Sequence, residues 1–198
     1  MNLPTKITLL RIILTVFIVG LLCIPFSYFG FNFAKYDFYG IGPIYLNQLI
    51  AGVLFIIASV TDFFDGYLAR KNNQVTDLGK MLDAIADKVL VNPVLIALAA
   101  NNTIPVIVPV IYVTRDIVVD AIKMQAASHG KVQGAIKTGK YKTACMMVGL
   151  CFVFFYNIPF EFIGVRVDIG LLIIACILSV VSAFEYYHIN KDLIFIEK

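Results

Sequence analysis

Charge is what this 198-residue sequence has least of: Asp, Glu, Lys and Arg together make up 15% of it. Its mean hydropathy is +0.88, and a water-facing surface cannot be built from so few charged groups. An ordinary soluble domain is thereby excluded, and no nucleic-acid partner is implied. Histidine is scarce too, with His129 and His188 far in sequence from the acidic cluster described below. The four cysteines, Cys23, Cys145, Cys151 and Cys176, sit in apolar runs without metal-type spacing, so they read as inert thiols. There is no low-complexity tract, fixed-period repeat or hydrophilic domain, and residues 1–198 read as one unit. The first apolar run follows Lys6 and Arg11 much as a secretion signal would. It lacks a small-residue cleavage site, so it is expected to stay as a helix.

What remains is apolar. A helix needs about 20 residues to cross a bilayer core of about 30 Å. Six candidates are expected, at Ile7–Phe26, Ile44–Val60 with a polar extension to Arg70, Met81–Ala100, Ile104–Lys123, Thr143–Ile158 and Val167–Tyr187. The expected fold is therefore an all-α integral membrane protein with six transmembrane helices. Threading them from a cytoplasmic N-terminus leaves only Lys35 and Arg166 in outer loops, while Lys6, Arg11, Arg70, Lys71, Lys80 and the basic stretch near Lys131 face the cytoplasm. That asymmetry places both termini in the cytoplasm. The segment Ser27–Pro43, rich in Gly and aromatics, has no assigned structure at this point; its Tyr and Phe suit an interface.

Against this background Thr61–Lys88 stands out, with five Asp and four Lys or Arg in 28 residues between apolar runs. At 100° per residue, Asp62, Asp65, Gly66 and Ala69 share one helical arc of about 100°. On the next helix Gly79, Asp83 and Asp87 follow at four-residue steps and form a second stripe. A short turn around Asn72–Thr76 would bring the stripes face to face. Each carboxylate at membrane depth costs about 2.5 to 3.5 kcal/mol on insertion scales, so the cluster needs counter-charge. The cations lie mostly off the stripes, which argues against a purely structural ion-pair cluster. Divalent metal is the more economical partner, and all-carboxylate ligation suits Mg²⁺ or Mn²⁺. Two such ions about 4 Å apart clamp the attacking and leaving oxygens of a displacement at phosphorus.

A second cytoplasmic stretch, Ala126–Thr143, sets Lys131, Lys137, Lys140 and Lys142 among Gly130, Gly134 and Gly139. A basic cytoplasmic loop needs no ligand, but ammonium groups so placed can also converge on an anion.

The acidic pattern, Asp62-x2-Asp65-Gly66-x2-Ala69-Arg70-x8-Gly79-x3-Asp83-x3-Asp87, resembles the signature of the CDP-alcohol phosphatidyltransferases at all eight defined positions. The resemblance extends along most of the chain. The stretches "NLPTKITLLRI", "LDAIADKVLV", "RDIVVDAIK" and "GKVQGAIKTGKYKT" are similar, in order, to the phosphatidylglycerophosphate-forming branch. It implies a multi-pass cell-membrane enzyme, usually a homodimer, with its active site on the cytoplasmic side. The implied reaction transfers the phosphatidyl group of CDP-diacylglycerol to sn-glycerol 3-phosphate and releases CMP. Asp62, Asp65, Asp83 and Asp87 would hold two ions of Mg²⁺ or Mn²⁺, with Asp87 also the general base. Gly66, Arg70 and Thr76 match positions that contact the CDP-lipid. Because the acceptor carries a phosphate, Arg115, Lys131, Lys137, Lys140 and Lys142 become expected phosphate contacts, whereas Asp116 and Asp120 are expected only to orient or balance cations.

Departures from the branch are Ala84, where Pro is common, and Ala144-Cys145-Met146, where a Gln often follows. They bear on acceptor identity more than on reaction class. Phosphatidylglycerol, giving cardiolipin, and inositol phosphate are the alternative acceptors. Prenyl transfer would need a paired DDxxD, which is absent. An ion transporter would scatter its carboxylates through the bilayer depth.

Overall fold

The computed structural model describes residues 3–31, 33–38, 42–71, 77–130, 134 and 136–194, excluding the side chains of 3–5, 38, 42, 62–71, 77–80, 83 and 192–194. It contains six long helices: α1 (Leu3–Cys23), α2 (Leu46–Lys71), α3 (Asp77–Ala100), α4 (Ile107–Ser128), α5 (Lys137–Phe154) and α6 (Val167–Ile194). Between α1 and α2, the segment without a sequence assignment forms a 3₁₀ turn and an antiparallel hairpin, β1 (Lys35–Phe38) and β2 (Gly42–Tyr45). Lys35 lies directly opposite Tyr45 in that ladder, and its ammonium sits 5.2 Å from the Tyr45 ring centroid. The architecture is all-α, with this hairpin as its one departure among the described residues.

Helix boundaries differ from the sequence reading where polar residues prolong an apolar run. The basic stretch Ala126–Thr143 is not all loop: α4 runs on to Ser128, and α5 begins at Lys137. Lys137, Lys140 and Lys142 therefore lie on the first two turns of α5, because straight-chain Lys costs a helix little and the stop signal comes earlier. That stop is Gly130, at φ 76°, whose amide bonds back to the Ala127 carbonyl.

Hydrogen bonds set the direction of each helix. Asn47, at the start of α2, donates from Nδ2 to the Leu21 carbonyl at 3.1 Å, and Asn101, just past α3, donates to the Leu22 carbonyl at 2.9 Å. With α1 packed against both, α2 runs antiparallel to α1 and α3 parallel to it. Gln48 Nε2 donates to the Val153 carbonyl, tying the end of α5 to the start of α2, while Thr138 bonds Glu185, tying the start of α5 to the end of α6. One end of the bundle thus collects the starts of α1, α3 and α5 and the ends of α2, α4 and α6. It is called the acidic end below, since residues 62–87 belong to it.

The core runs between the ends. Ile18 and Leu22 of α1, Ala51 and Phe55 of α2, Leu90, Val94 and Leu98 of α3, and Phe154 of α5 are buried in one cluster. Gly52 lets α5 approach closely, since a Cβ there would lie 2.7 Å from the Phe154 Cβ. Hydroxyls inside the apolar helices bond their own backbone, as Thr15 does to the Arg11 carbonyl and Ser59 to the Phe55 carbonyl.

Outward faces are apolar: Ile13, Val16 and Phe17 on α1, and Ile173, Ile177 and Phe184 on α6, are exposed. Among the described residues, Lys6–Cys23 and Val167–Lys191 are long and apolar enough to cross a membrane, with mean hydropathy of 2.2 and 2.5, and Leu46–Thr61 forms a shorter apolar run.

Candidate active site

Asp62 and Asp65 lie in the last turns of α2, and Asp83 and Asp87 in the first turns of α3. The antiparallel course of these helices brings both pairs to the same end of the bundle. The side chains of Asp62, Asp65, Gly66, Arg70 and Asp83 lie outside the described residues, as do Thr76 and Lys131 entirely. Asp87 is described and half-buried. It stands close enough to Tyr112 and Lys142 for its charge to act on both.

Those two residues belong to a buried cluster joining α4, α5 and α6. Lys142 is 4% exposed; its ammonium donates to Asp116 Oδ1 at 2.7 Å and lies 3.8 Å from the centroid of the Tyr112 ring. Arg115 donates to the same Asp116 oxygen at 3.0 Å from Nη1, and from Nε to the Ser179 carbonyl at 3.1 Å. Its Nη2 bonds the Ser182 hydroxyl. A carboxylate buried this deeply requires such partners, and the one positive charge by which the two cations exceed it is offset by nearby Asp87.

The structure thus unites two expected phosphate contacts, Arg115 and Lys142, through Asp116. Asp116 acts as expected of a residue that orients cations. Lys137 and Lys140 are exposed on the first turn of α5, where free backbone N–H groups add positive potential. Lys88 pairs with Asp120 of α4. Tyr186 closes the cluster on the α6 side. Its hydroxyl accepts from the Ile136 amide and donates to the Gly134 carbonyl, and the Lys123 ammonium sits 4.8 Å from its ring centroid.

Two side chains escaped the sequence reading. Tyr112 is one of them, and nothing local in the sequence marks it. Arg11 was counted among cytoplasmic-edge cations, yet it is 1% exposed. Its signal was present: Thr8, Arg11 and Thr15 recur at helical spacing and are all buried.

Among the described residues no three His, Cys, Asp or Glu side chains form a metal-binding group. Three of the four expected ligands fall outside that set. The donors are oxygens only, on two helices that meet at one end, and this chemistry fits a hard divalent cation.

The fold is a helical bundle with an apolar exterior suited to a membrane and with ion pairs gathered toward one end. The sequence profile of the CDP-alcohol phosphatidyltransferases matches residues 1–181, and the chain belongs to that family. It is similar to a Bacillus subtilis (strain 168) protein named CDP-diacylglycerol--glycerol-3-phosphate 3-phosphatidyltransferase, with 35% identity over 191 residues, 96% of each chain. A protein of the same name from Salmonella choleraesuis (strain SC-B67) is 31% identical over 193 residues, covering 93% of this chain and 92% of its own. Another of that name, from Mycoplasma genitalium (strain G37), is 42% identical over 115 residues, covering 57% of this chain and 49% of its own.

Proposed function

We propose that the protein transfers the phosphatidyl group of CDP-diacylglycerol to sn-glycerol 3-phosphate, forming phosphatidylglycerophosphate and CMP. Family membership and full-length similarity to proteins of that name support the reaction. The observation that carries the acceptor is the buried Lys142–Asp116–Arg115 cluster beside Asp87. Arg115 and Lys142 offer charge-assisted donors, which suit a phosphate-bearing alcohol better than a neutral one.

In this reading the acceptor phosphate rests against Arg115, Lys142 and the α5 lysines Lys137 and Lys140, with Lys131 from the preceding segment. The acceptor hydroxyl then reaches Asp87, which takes its proton as the oxygen attacks the phosphorus bearing diacylglycerol. The bond from that phosphorus to the bridging oxygen breaks, and CMP departs with the electron pair. Asp62, Asp65, Asp83 and Asp87 would hold two Mg²⁺ or Mn²⁺ ions, which offset charge on the pyrophosphate and the leaving group. Gly66, Arg70 and Thr76 would meet the CDP portion, Arg70 by forking onto phosphate oxygens.

The same reading makes all six helices membrane-spanning, with both termini and the active site cytoplasmic and with two chains forming a homodimer. The distribution of cations supports that orientation. Lys6, Lys137, Lys140 and Lys191 are exposed at the acidic end, and Lys35 and Arg166 at the other.

The test is an acceptor panel with CMP release as readout, using purified protein, CDP-diacylglycerol and Mg²⁺. Glycerol 3-phosphate should support turnover. Preference for glycerol or free inositol would overturn the phosphate role of the cationic cluster, while preference for phosphatidylglycerol or inositol phosphate would move the protein to another acceptor within the same chemistry.

A further inference from the structure

A guanidinium that is 1% exposed within an apolar bundle needs an anion, because an unpaired buried charge costs several kcal/mol. The described carboxylates supply few candidates. Asp116 and Asp120 serve Lys142 and Lys88. Glu161, Asp168 and Glu185 are engaged by Asn157, Arg166 and Thr138. Asp37 lies in the hairpin at the opposite end. Among the described carboxylates Asp87 remains, at the start of α3, and α1 packs against α2 and α3.

Helix register leads to the same place. Arg11 lies ten residues before Leu21, about 15 Å along α1. Stepping equally from the Asn47 and Asn101 anchors reaches the level of Ile57 on α2 and Leu90 on α3. Side chains lean toward the helix N-terminus, and an Arg that also crosses to its neighbours gains about 3 Å, or roughly two residues, in that direction. Its guanidinium therefore comes to within one turn of the levels of Asp62 on α2 and Asp87 on α3. Thr8, 3% exposed and one turn earlier on the same face, continues the polar stripe.

We infer that Arg11 is a positioning residue, the fixed internal counter-charge that holds the acidic ends of α2 and α3 together at the candidate active site. Arg11 sits on α1, which packs against α2 and α3, whereas the cations read as acceptor contacts belong to α4 and α5; it therefore acts through the carboxylates and not as an acceptor contact. The inference rests on reading those carboxylates as the divalent-cation site of the proposed reaction. In metal-free protein Arg11 carries part of the compensation, and bound cation carries the rest.

The experiment compares full-length native protein with Arg11→Met and Arg11→Lys in detergent, by thermal unfolding across a MgCl₂ titration without substrates. Arg11→Met should melt lower in EDTA, recover most of the loss in saturating Mg²⁺, and half-saturate at about fivefold lower Mg²⁺, since the carboxylates lose a competing charge. Arg11→Lys should keep the native Mg²⁺ response. An equal melting loss with and without Mg²⁺, at unchanged half-saturation, would show a merely structural residue and overturn the inference. If Arg11→Met does not fold, Arg11→Gln against Arg11→Lys makes the same comparison. In turnover assays kcat should fall with KM for glycerol 3-phosphate unchanged; a raised KM at native kcat would make Arg11 a substrate contact and also overturn it. The melting data need no nucleotide or acceptor. Failure of native protein to release CMP would therefore remove the proposed reaction without deciding the role of Arg11.

Discussion

The two ends of the helical bundle are fastened by different chemistry. At the acidic end ion pairs stand among the polar contacts: Lys142 and Arg115 share Asp116, Lys88 pairs with Asp120, and Arg11 is buried among helices whose ends carry Asp, beside the neutral bonds of Tyr186 to Ile136 and Gly134. At the opposite end they are mostly neutral. Asn47, Gln48 and Asn101 cap backbone carbonyls, Tyr156 donates to Gln48 Oε1 at 3.1 Å, and Asn157 closes the turn into α6 through Glu161, the Val165 carbonyl and the Asp168 amide. Among the described residues its one ion pair, Arg166 with Asp168, leaves the Arg side chain 58% exposed, and the carboxylate raises that guanidinium above its ordinary range. Neutral amides fix backbone register at modest energetic risk. Buried charges are costly to hold, and they are worth holding where a charged substrate must be met.

Substitutions at the two ends should separate accordingly. Asp87→Asn should have the largest effect, cutting kcat by about 10² to 10⁴-fold, as expected for loss of a general base. Near-native turnover would remove Asp87 from that role. Lys142→Met leaves Arg115 as the remaining cation on Asp116 and should destabilise the protein by about 1.5 to 3 kcal/mol, besides weakening acceptor binding; a double-mutant cycle with Asp116→Asn measures the coupling. At the other end Gly52→Ala forces a Cβ against Phe154 and should cost about 1 to 3 kcal/mol by denaturant unfolding, while kcat per folded molecule stays native. Asn101→Ala removes a single bond to Leu22 and should cost about 1 kcal/mol, with no effect on the Mg²⁺ response. A change in Mg²⁺ dependence on Asn101→Ala would break the division between the ends.

Much of this was legible along the chain. The spacing of Asp62, Asp65, Asp83 and Asp87 exposed two stripes because an α-helix maps fixed sequence steps onto fixed directions, whatever packs around it. The apolar runs located the helices for the same reason. Less legible was the hairpin at Lys35–Phe38 and Gly42–Tyr45, whose pairing depends on contacts across a turn. The α5 lysines looked like loop residues because Gly130, Gly134 and Gly139 surround them; helix α5 nevertheless accommodates Gly139 in its first turn, where only Ile136 lies near.

By itself the sequence determined the reaction family and the helices that bear its residues, since both are written in local spacing and composition. Only tertiary structure decided what the cations do. Lys137, Lys140 and Lys142 lie within six residues, yet two face outward and the third is 4% exposed against Asp116, 26 positions away. Arg11 reads like any cation near a membrane edge until α2 and α3 close over it. Burial and pairing depend on which helices meet and at what register, and no single stretch of chain contains that information.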